Sequence, residues 1–528
     1  MRLAAGGAVL TLCVGAWALG GNPTARIASH LALYGLAFAA YLLALHGANG
    51  LSVRGLRVAV GLAIAWRAAL VLAPPLLSND VNRYVWEGRV QVHGGNPYAW
   101  RDRPAAPRWE GLRDAVWQGL NHKDYPAVYP PLFQLACRGV IALHDSVTAM
   151  KAFLAACELL TLWPLAVLLR RRGLPRERLL ILAWSPLALV EIAGSGHNEA
   201  FGFLFLAWSM AALEAGRPLA SAVAAALGFQ AKFLPGLVAA AWARRYRPWQ
   251  VLVAAAVAAL LAFPYFAGAS KTFFLSLSKL ARFWRFNETL FAPLAALTGD
   301  HEDAVRLGAL LTILLTLALA VRRTEPVAAA TAVVAAALLL GPNVLPWYAL
   351  WFLPLLVVRD EPAVLLYTGT AALAYLVYPA WQSGEVWYLP WSVRALEYGP
   401  CGLVLLWSRG RSMRLALLAT AVVVGPFSFG QEKPGVATFP SAVDLITIDA
   451  VVLDKDGRPV PGLTRDDFAV SEDGKPQAIA SFEAIDLRRD EEVAGAETVS
   501  RRAATHRRPA RTATSSFVLL VDDMSLAP

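Results

Sequence analysis

"LAAGGAVLTLCVGAWALGG", Leu3–Gly21, is an uninterrupted apolar run that starts right after Met1 and Arg2. It is short and follows an arginine, as a cleaved secretory leader would, but a second apolar run follows almost at once. It is therefore read as a retained first membrane helix. The whole chain points the same way: of its 528 residues 57% are hydrophobic and 16% charged, and its mean hydropathy is positive. That composition belongs to an integral membrane protein rather than to a soluble core. Apolar runs of roughly 15 to 23 residues recur from Leu3 to Phe429, many long enough to cross the hydrocarbon layer as helices. The expected class is an all-α polytopic membrane protein.

The net charge of +10 would suit a nucleic-acid binder if it were spread over one surface. Instead the basic residues cluster between apolar runs, in "RRRGLPRER" (Arg170–Arg178), "ARRYRPW" (Ala243–Trp249), "VRRTEP" (Val321–Pro326) and "SRGRSMR" (Ser408–Arg414). Such clusters mark cytoplasmic loops, and no nucleic acid is expected. The four cysteines, Cys13, Cys137, Cys157 and Cys401, lie in or beside apolar runs without metal-type spacing. They are expected to pack as small hydrophobes, with no disulfide or zinc site.

Placing the basic loops inside puts five polar, aromatic-rich segments on the opposite face. They are Ser78–Tyr129, "GSGHNEA" (Gly194–Ala200), Lys271–Thr289, "GPNVLPWY" (Gly341–Tyr348) and "WQSGEVWYLPW" (Trp381–Trp391). The alternation fails at Ser221–Trp242, where one crossing would carry Arg244, Arg245 and Arg247 to the wrong side. Two half-helices meeting near Gln230, Lys232 and Pro235 resolve it, since irregular backbone is tolerated at membrane depth where it lines a cavity. The run Tyr129–Leu143, with Arg138, raises the same conflict and suggests a second re-entrant element. Counting this way gives about 13 full spans, amino terminus inside.

After residue 430 the composition changes. Residues 441–486 alternate apolar and polar side chains around the turns "KDGRP" and "EDGKP", the pattern of a small extracytoplasmic β domain. Residues 487–515 are charge-rich and read as a flexible linker. Residues 516–528, "FVLLVDDMSLAP" with the preceding serine, form one apolar strand followed by acids.

The chemistry concentrates in "SNDVNRYVWEGRVQVHGGNPYAW", Ser78–Trp100. If Asp80–Val92 is a helix along the interface, Asp80, Arg83, Tyr84 and Glu87 share a face. A carboxylate beside cations and aromatic rings suits an enzyme that handles a sugar, because rings stack on pyranose faces and a carboxylate removes a hydroxyl proton. The same residues also suit a helix-capping acid and an interfacial aromatic belt. Further along, His197, Asn198 and Glu199 sit at the end of a span beside glycines, where ionisable groups mark sites. Lys232 at the expected break is either a snorkelling cation or a phosphate contact. Arg282 and Arg285, among aromatics on the outer face, suit either anionic headgroup capture or plain lipid contact.

Taken together, Asn79-Asp80, "RYVWEGRV", "GGNPYAW", "YPAVYPPLFQL", "GHNEAFGF", "FQAKFLPGL" and "GPNVLPWYALWFLPLL" resemble the polyprenyl-phosphate-sugar-dependent glycosyltransferases of the C-type superfold. The likeness is closest to bacterial mannosyltransferase-like members, and it covers residues 1–430. It implies an inverting transfer of a hexose, mannose by family bias, from an isoprenoid-phosphate donor to an extracytoplasmic glycan or lipid acceptor. It also implies a multi-pass bacterial inner-membrane location, contact with membrane lipids, no nucleotide and no metal.

Asp80 matches the acid of the first outer loop and is the implied general base. Many relatives carry two acids there, whereas this chain has Asn79, which leaves Glu87 or Glu199 as a second candidate. The implied substrate contacts are Asn79, Arg83, Tyr84, Arg89, Asn96 and Tyr98 in that loop and Tyr129 after it. His197, Asn198 and Lys232 follow, then Arg282 and Arg285, and last Trp347 and Tyr348. Asp80 beside Arg83 is expected to stay ionised at neutral pH. The tail resembles the start of bacterial proteins related to von Willebrand factor A domains, without enough residues for that domain's metal site. A polytopic transporter or flippase, and a surface interaction protein with a membrane anchor, are the competing readings; no internal repeat of the transporter kind is visible.

Overall fold

The computed structural model describes residues 1–383, 387–408, 452, 460, 463–472 and 475–477. Among the described residues up to Ser408 the regular structure is helical, joined by loops and one isolated bridge between Phe286 and Asn343. Among the described residues, seven helices are long and apolar enough to cross a membrane, set against the expectation of about 13 spans. The first three are α1 (Arg2–Gly20), α2 (Ile27–His46) and α3 (Val53–Leu72). Gly6 lets α1 and α2 close up, since a Cβ there would lie 2.5 Å from the Ala40 carbonyl oxygen.

The helix α4 (Asp80–Val92) spans the residues expected from the sequence. It packs along α5 (Pro131–Leu143), and Arg89 near its end pairs with both Asp114 and Asp145. Within the segment 129–143, Pro131–Leu143 is one unbroken helix, where parity led to the expectation of a re-entrant pair. Its prolines stand at the start, where the helix has no hydrogen bonds to lose. Phe133, Gln134, Cys137 and Ile141 are buried on one side while Leu135 and Leu143 are exposed.

The long span α6 (Val147–Arg171) leads to the basic loop, and a chain of short helical pieces returns to Gly194. The last of these, Leu189–Gly194, is a π-helix, a local widening that often marks functional positions. Next comes α7 (Glu199–Glu214). The expected break then appears where parity required it. The helix α8 (Pro218–Ala231) stops, Lys232 is extended, and α9 (Leu234–Ala240) begins with Pro235 in its first turn. At 1.5 Å per residue neither piece spans a bilayer alone.

The two sets of loops gather separately. On one side Arg172 pairs with Glu214 and Glu325, Arg178 with Asp360, and Arg245 donates to the carbonyls of Arg323 and Thr324. On the other, Ser276 donates to the Pro126 carbonyl, Phe286 and Pro342–Val344 exchange backbone bonds, and the Tyr378 hydroxyl donates to the Leu77 carbonyl at 2.6 Å.

Residues 438–528 form a separate unit. Its described part holds a hairpin of β1 (Val470–Glu472) and β2 (Lys475–Gln477), paired antiparallel with Glu472 opposite Lys475. Residues 473–474, within the expected turn "EDGKP", lie outside the described residues. The rest of the β domain, the linker and the strand at 516–528 lie outside the described residues.

Candidate active site

Asp80 opens α4, preceded by the diproline loop that leaves α3. Its backbone N–H donates to Ser78 Oγ at 3.2 Å. The side chain keeps 31% of its surface open, yet it is recessed among protein atoms. Burial is the main reason its pKa rises to about 6; Glu199 adds to the rise, and Lys232 and then Arg83 oppose it. Arg83, the cation expected to keep Asp80 ionised, acts in that direction but is the weakest of these influences. Arg83 turns instead to Glu87, Nε to Oε1 2.6 Å, and its other nitrogens donate to the carbonyls of Asn121, His122, Tyr125 and Pro126. A planar fork of donors is better satisfied by this loop than by one carboxylate a turn away.

Asp80 Oδ2 faces His197 Nδ1 at 3.9 Å. The His197 ring lies flat on the Trp347 indole, with centroids 4.0 Å apart and planes 18° apart. Its Nε2 stands 3.4 Å from Glu191 Oε2, and Glu191 Oε1 accepts from the Tyr375 hydroxyl at 2.9 Å. Gly196 sets the turn: its φ is +85°, and a Cβ would lie 2.9 Å from Val81 Cβ. Only glycine fits both demands.

Lys232 comes to the same place from the α8–α9 break. Its Nζ donates to Asn198 Oδ1 at 2.8 Å and to Glu199 Oε1, and lies 5.6 Å and 5.8 Å from the ring centroids of Tyr129 and Tyr348. Tyr84 reaches the Tyr129 hydroxyl at 3.4 Å. His197 Nε2, Glu191 Oε2, Asn198 Nδ2 and Glu199 Oε2 are all buried without a hydrogen-bond partner in the protein. Four such atoms in one cluster are unusual, because buried polar groups are nearly always satisfied.

Of the residues singled out in the sequence, Asp80, Tyr84, Tyr129, His197, Asn198, Glu199, Lys232, Trp347 and Tyr348 are thus linked in one network. The others are engaged elsewhere. Glu87 is buried, with Oε2 bonded by Gln134 Nε2 at 2.6 Å in addition to the Arg83 contact. Asn79 exchanges bonds with Asn121 and holds the Gly119 carbonyl. Asn96 ties to the Tyr265 carbonyl at 2.8 Å, and the Tyr98 hydroxyl donates to the Tyr129 carbonyl. Arg89 is taken by its two aspartates. Arg282 pairs with Glu302 and Arg285 with Glu288. Glu191 was not expected: one acid in an apolar run gives no periodic signal, and only the rarity of buried charge could have flagged it. Among the described residues no three His, Cys, Asp or Glu side chains are grouped to hold a metal.

Residues 5–247 match the family described as "Alpha-(1->6)-mannopyranosyltransferase, N-terminal domain". A relative in Mycolicibacterium smegmatis, named "Probable alpha-(1->6)-mannopyranosyltransferase", is 27% identical over 361 residues, covering 54% of this chain and 62% of that protein. "Alpha-(1->6)-mannopyranosyltransferase A" of Mycobacterium tuberculosis is 27% identical over 218 residues, covering 38% of this chain and 41% of its own length. The chain thus spans less than two thirds of each of these relatives. The resemblance to mannosyltransferases drawn from the loop motifs is found again in these matches. No solved structure matches the chain.

Proposed function

We propose that this chain, similar over residues 5–247 to the α-(1→6)-mannopyranosyltransferases, is a membrane glycosyltransferase that moves a mannosyl unit from a polyprenyl phosphate to a glycan or lipid hydroxyl outside the cytoplasm. The observation that carries the reading is the meeting of a recessed carboxylate, Asp80, with a cation, Lys232, and a set of buried polar atoms that have no partner in the protein.

The acceptor hydroxyl gives its proton to Asp80 as its oxygen bonds to the anomeric carbon. The bond from that carbon to the phosphate oxygen breaks on the opposite face, and the electron pair leaves with the phosphate. One displacement inverts the anomeric centre. The leaving phosphate gains negative charge, which a fixed cation stabilises more than it stabilises the donor. Lys232 suits this role because it sits on a helix break at membrane depth. Tyr129, Trp347 and Tyr348 offer ring faces for the sugar. The active site and the tail then face outward, opposite the basic loops, in the bacterial inner membrane.

The test is transfer from radiolabelled polyprenyl-phosphate mannose in membranes containing the full chain, beside Asp80→Asn at equal protein level. Label in an acceptor that disappears with Asp80→Asn supports the reading. No label above empty membranes, with mannose or any other isoprenoid-phosphate hexose, overturns it.

A further inference from the structure

We propose that the groove between α9 and the helices α10 (His301–Val321) and α11 (Pro326–Leu339) seats the two or three isoprene units nearest the donor phosphate. The enzyme then reads the start of the lipid and not its length. The inference rests on the reading of Lys232 as the phosphate contact.

The groove has a volume of about 350 Å³. Its walls include Leu237 on α9, Ala309, Thr312 and Ile313 on α10, Ala337 on α11 and Pro342 just past it. Two of these are alanines, which leave room between the helices. The Thr312 hydroxyl donates to the Gly308 carbonyl of its own helix at 2.8 Å, so its proton is already used. Such walls offer an occupant shape and dispersion contacts rather than hydrogen bonds.

Two observations select an isoprenoid tail as that occupant. The first is position: Leu237 follows Lys232 on the half-helix that begins at the break, about 8 Å further along the axis at 1.5 Å per residue. A tail attached to a phosphate at Lys232 starts within reach of this wall. The second is access. Ile313 is 48% exposed, and its neighbours Leu310 and Leu314 are 50% and 52% exposed, on a helix long and apolar enough to cross a membrane. The rim of the groove is therefore lipid-facing surface, and a chain can lie in from the side without threading through the protein.

Volume limits how much of the tail is held. An apolar cavity of about 150 Å³ takes up one benzene ring, so the groove corresponds to roughly fourteen carbons, or between two and three five-carbon units. The remaining units stay in the bilayer. Lipid tails are as apolar as the groove, so a unit that moves from one to the other gains packing but little hydrophobic free energy. Each seated unit tightens binding modestly, and each unit outside adds nothing.

The experiment measures kcat and KM of the full-length protein in lipid nanodiscs. The donors are mannosyl phosphates with about one, about three and about ten isoprene units, each expressed as a mole fraction of the lipid. KM is expected to fall about five- to tenfold from the shortest donor to the middle one and to change less than about twofold from there to the longest. Ala309→Phe fills the groove and is expected to raise KM about five- to tenfold for the two longer donors, with kcat within about threefold. Ile313→Trp, at the rim, moves KM in the same direction. A KM that keeps falling to the longest donor, or that neither substitution moves, would mean that the groove holds ordinary membrane lipid, and overturns the proposal. The length series on the unaltered protein decides the matter even where a variant does not accumulate. Lys232→Met is run beside them: full activity there, or no transfer by the unaltered protein from any of the donors, faults the underlying reading, whereas transfer that needs Lys232 but shows no such length dependence faults only the groove.

Discussion

His197 and Trp347 stack face to face, 4.0 Å between centroids, although one follows a π-turn and the other opens a 3-10 helix far along the chain. The stack fixes the imidazole plane, so that its two nitrogens face two different carboxylates. Replacing Trp347 with leucine removes the aromatic face but keeps the site apolar. A fall in kcat of about tenfold is expected, with phenylalanine recovering most of it, since a stacked aromatic pair contributes about 0.5–1.5 kcal/mol beyond its buried area. Steady-state kinetics on both variants checks this.

Asp80 should set the acid side of the rate profile. Burial lifts its carboxyl to about 6, and a base works only when ionised. kcat is expected to be flat above about pH 7, half-maximal near pH 6, and to fall about tenfold per unit below that. A half-point near pH 4 would mean that an unburied carboxylate is the base.

The same shift predicts a stability effect of opposite sign to the rate effect. Because the folded-state pKa lies above the ordinary 3.8, the folded protein binds the Asp80 proton more tightly than the unfolded chain does. Stability therefore declines as pH rises between about 4 and 6 and levels off above. Asp80→Asn removes the buried charge. It is expected to lose about 100- to 10,000-fold in transfer and to melt at neutral pH no lower than wild type, about 1–3 °C higher. Thermal melting in detergent decides it.

Lys232 and Glu199 need to be changed together. Glu199 is fully buried, so Lys232→Met alone strands its charge and is expected to cost about 3 kcal/mol. Adding Glu199→Gln should restore the melting temperature while kcat stays down about 100-fold, because the cation for the leaving phosphate is still missing. Recovery of both would make Lys232 structural.

Glu87 should behave oppositely. Both of its oxygens are committed, to Arg83 and Gln134, and through Arg83 it holds the 121–126 loop. Glu87→Gln is expected to cost about 2 kcal/mol of stability, with kcat per folded molecule within about threefold of wild type. Active-site titration alongside melting separates the two quantities.

The sequence made the helical class plain, because hydrophobic runs report burial in lipid directly. The break at Lys232 was also legible, since the arginines after it admit one side only. The segment 129–143 was not: a parity conflict does not say whether a run is broken, and the helix Pro131–Leu143 is continuous where it packs on α4. Asp80, His197 and Lys232 could each be picked out as polar groups at run ends. The partner of Arg83 could not, because Asp80 at i−3 and Glu87 at i+4 are equally near on a helix surface, and the carbonyls that tip the choice come from a distant loop. Glu191 hides in an apolar run, and its exposure to His197 depends on a π-turn that no local pattern announces.

The hydroxyl of Tyr378 reaches back 301 residues to the Leu77 carbonyl, bracing the loop that delivers Asp80. Synthesis runs from the amino terminus, so the carboxylate enters the bilayer early while its brace, like Trp347, emerges much later. A nascent chain halted before Tyr378 would hold every acid and base of the network and yet lack this brace. On the reading proposed above, a chain released before Tyr378 would lack transfer activity even though it carries Asp80, His197 and Lys232.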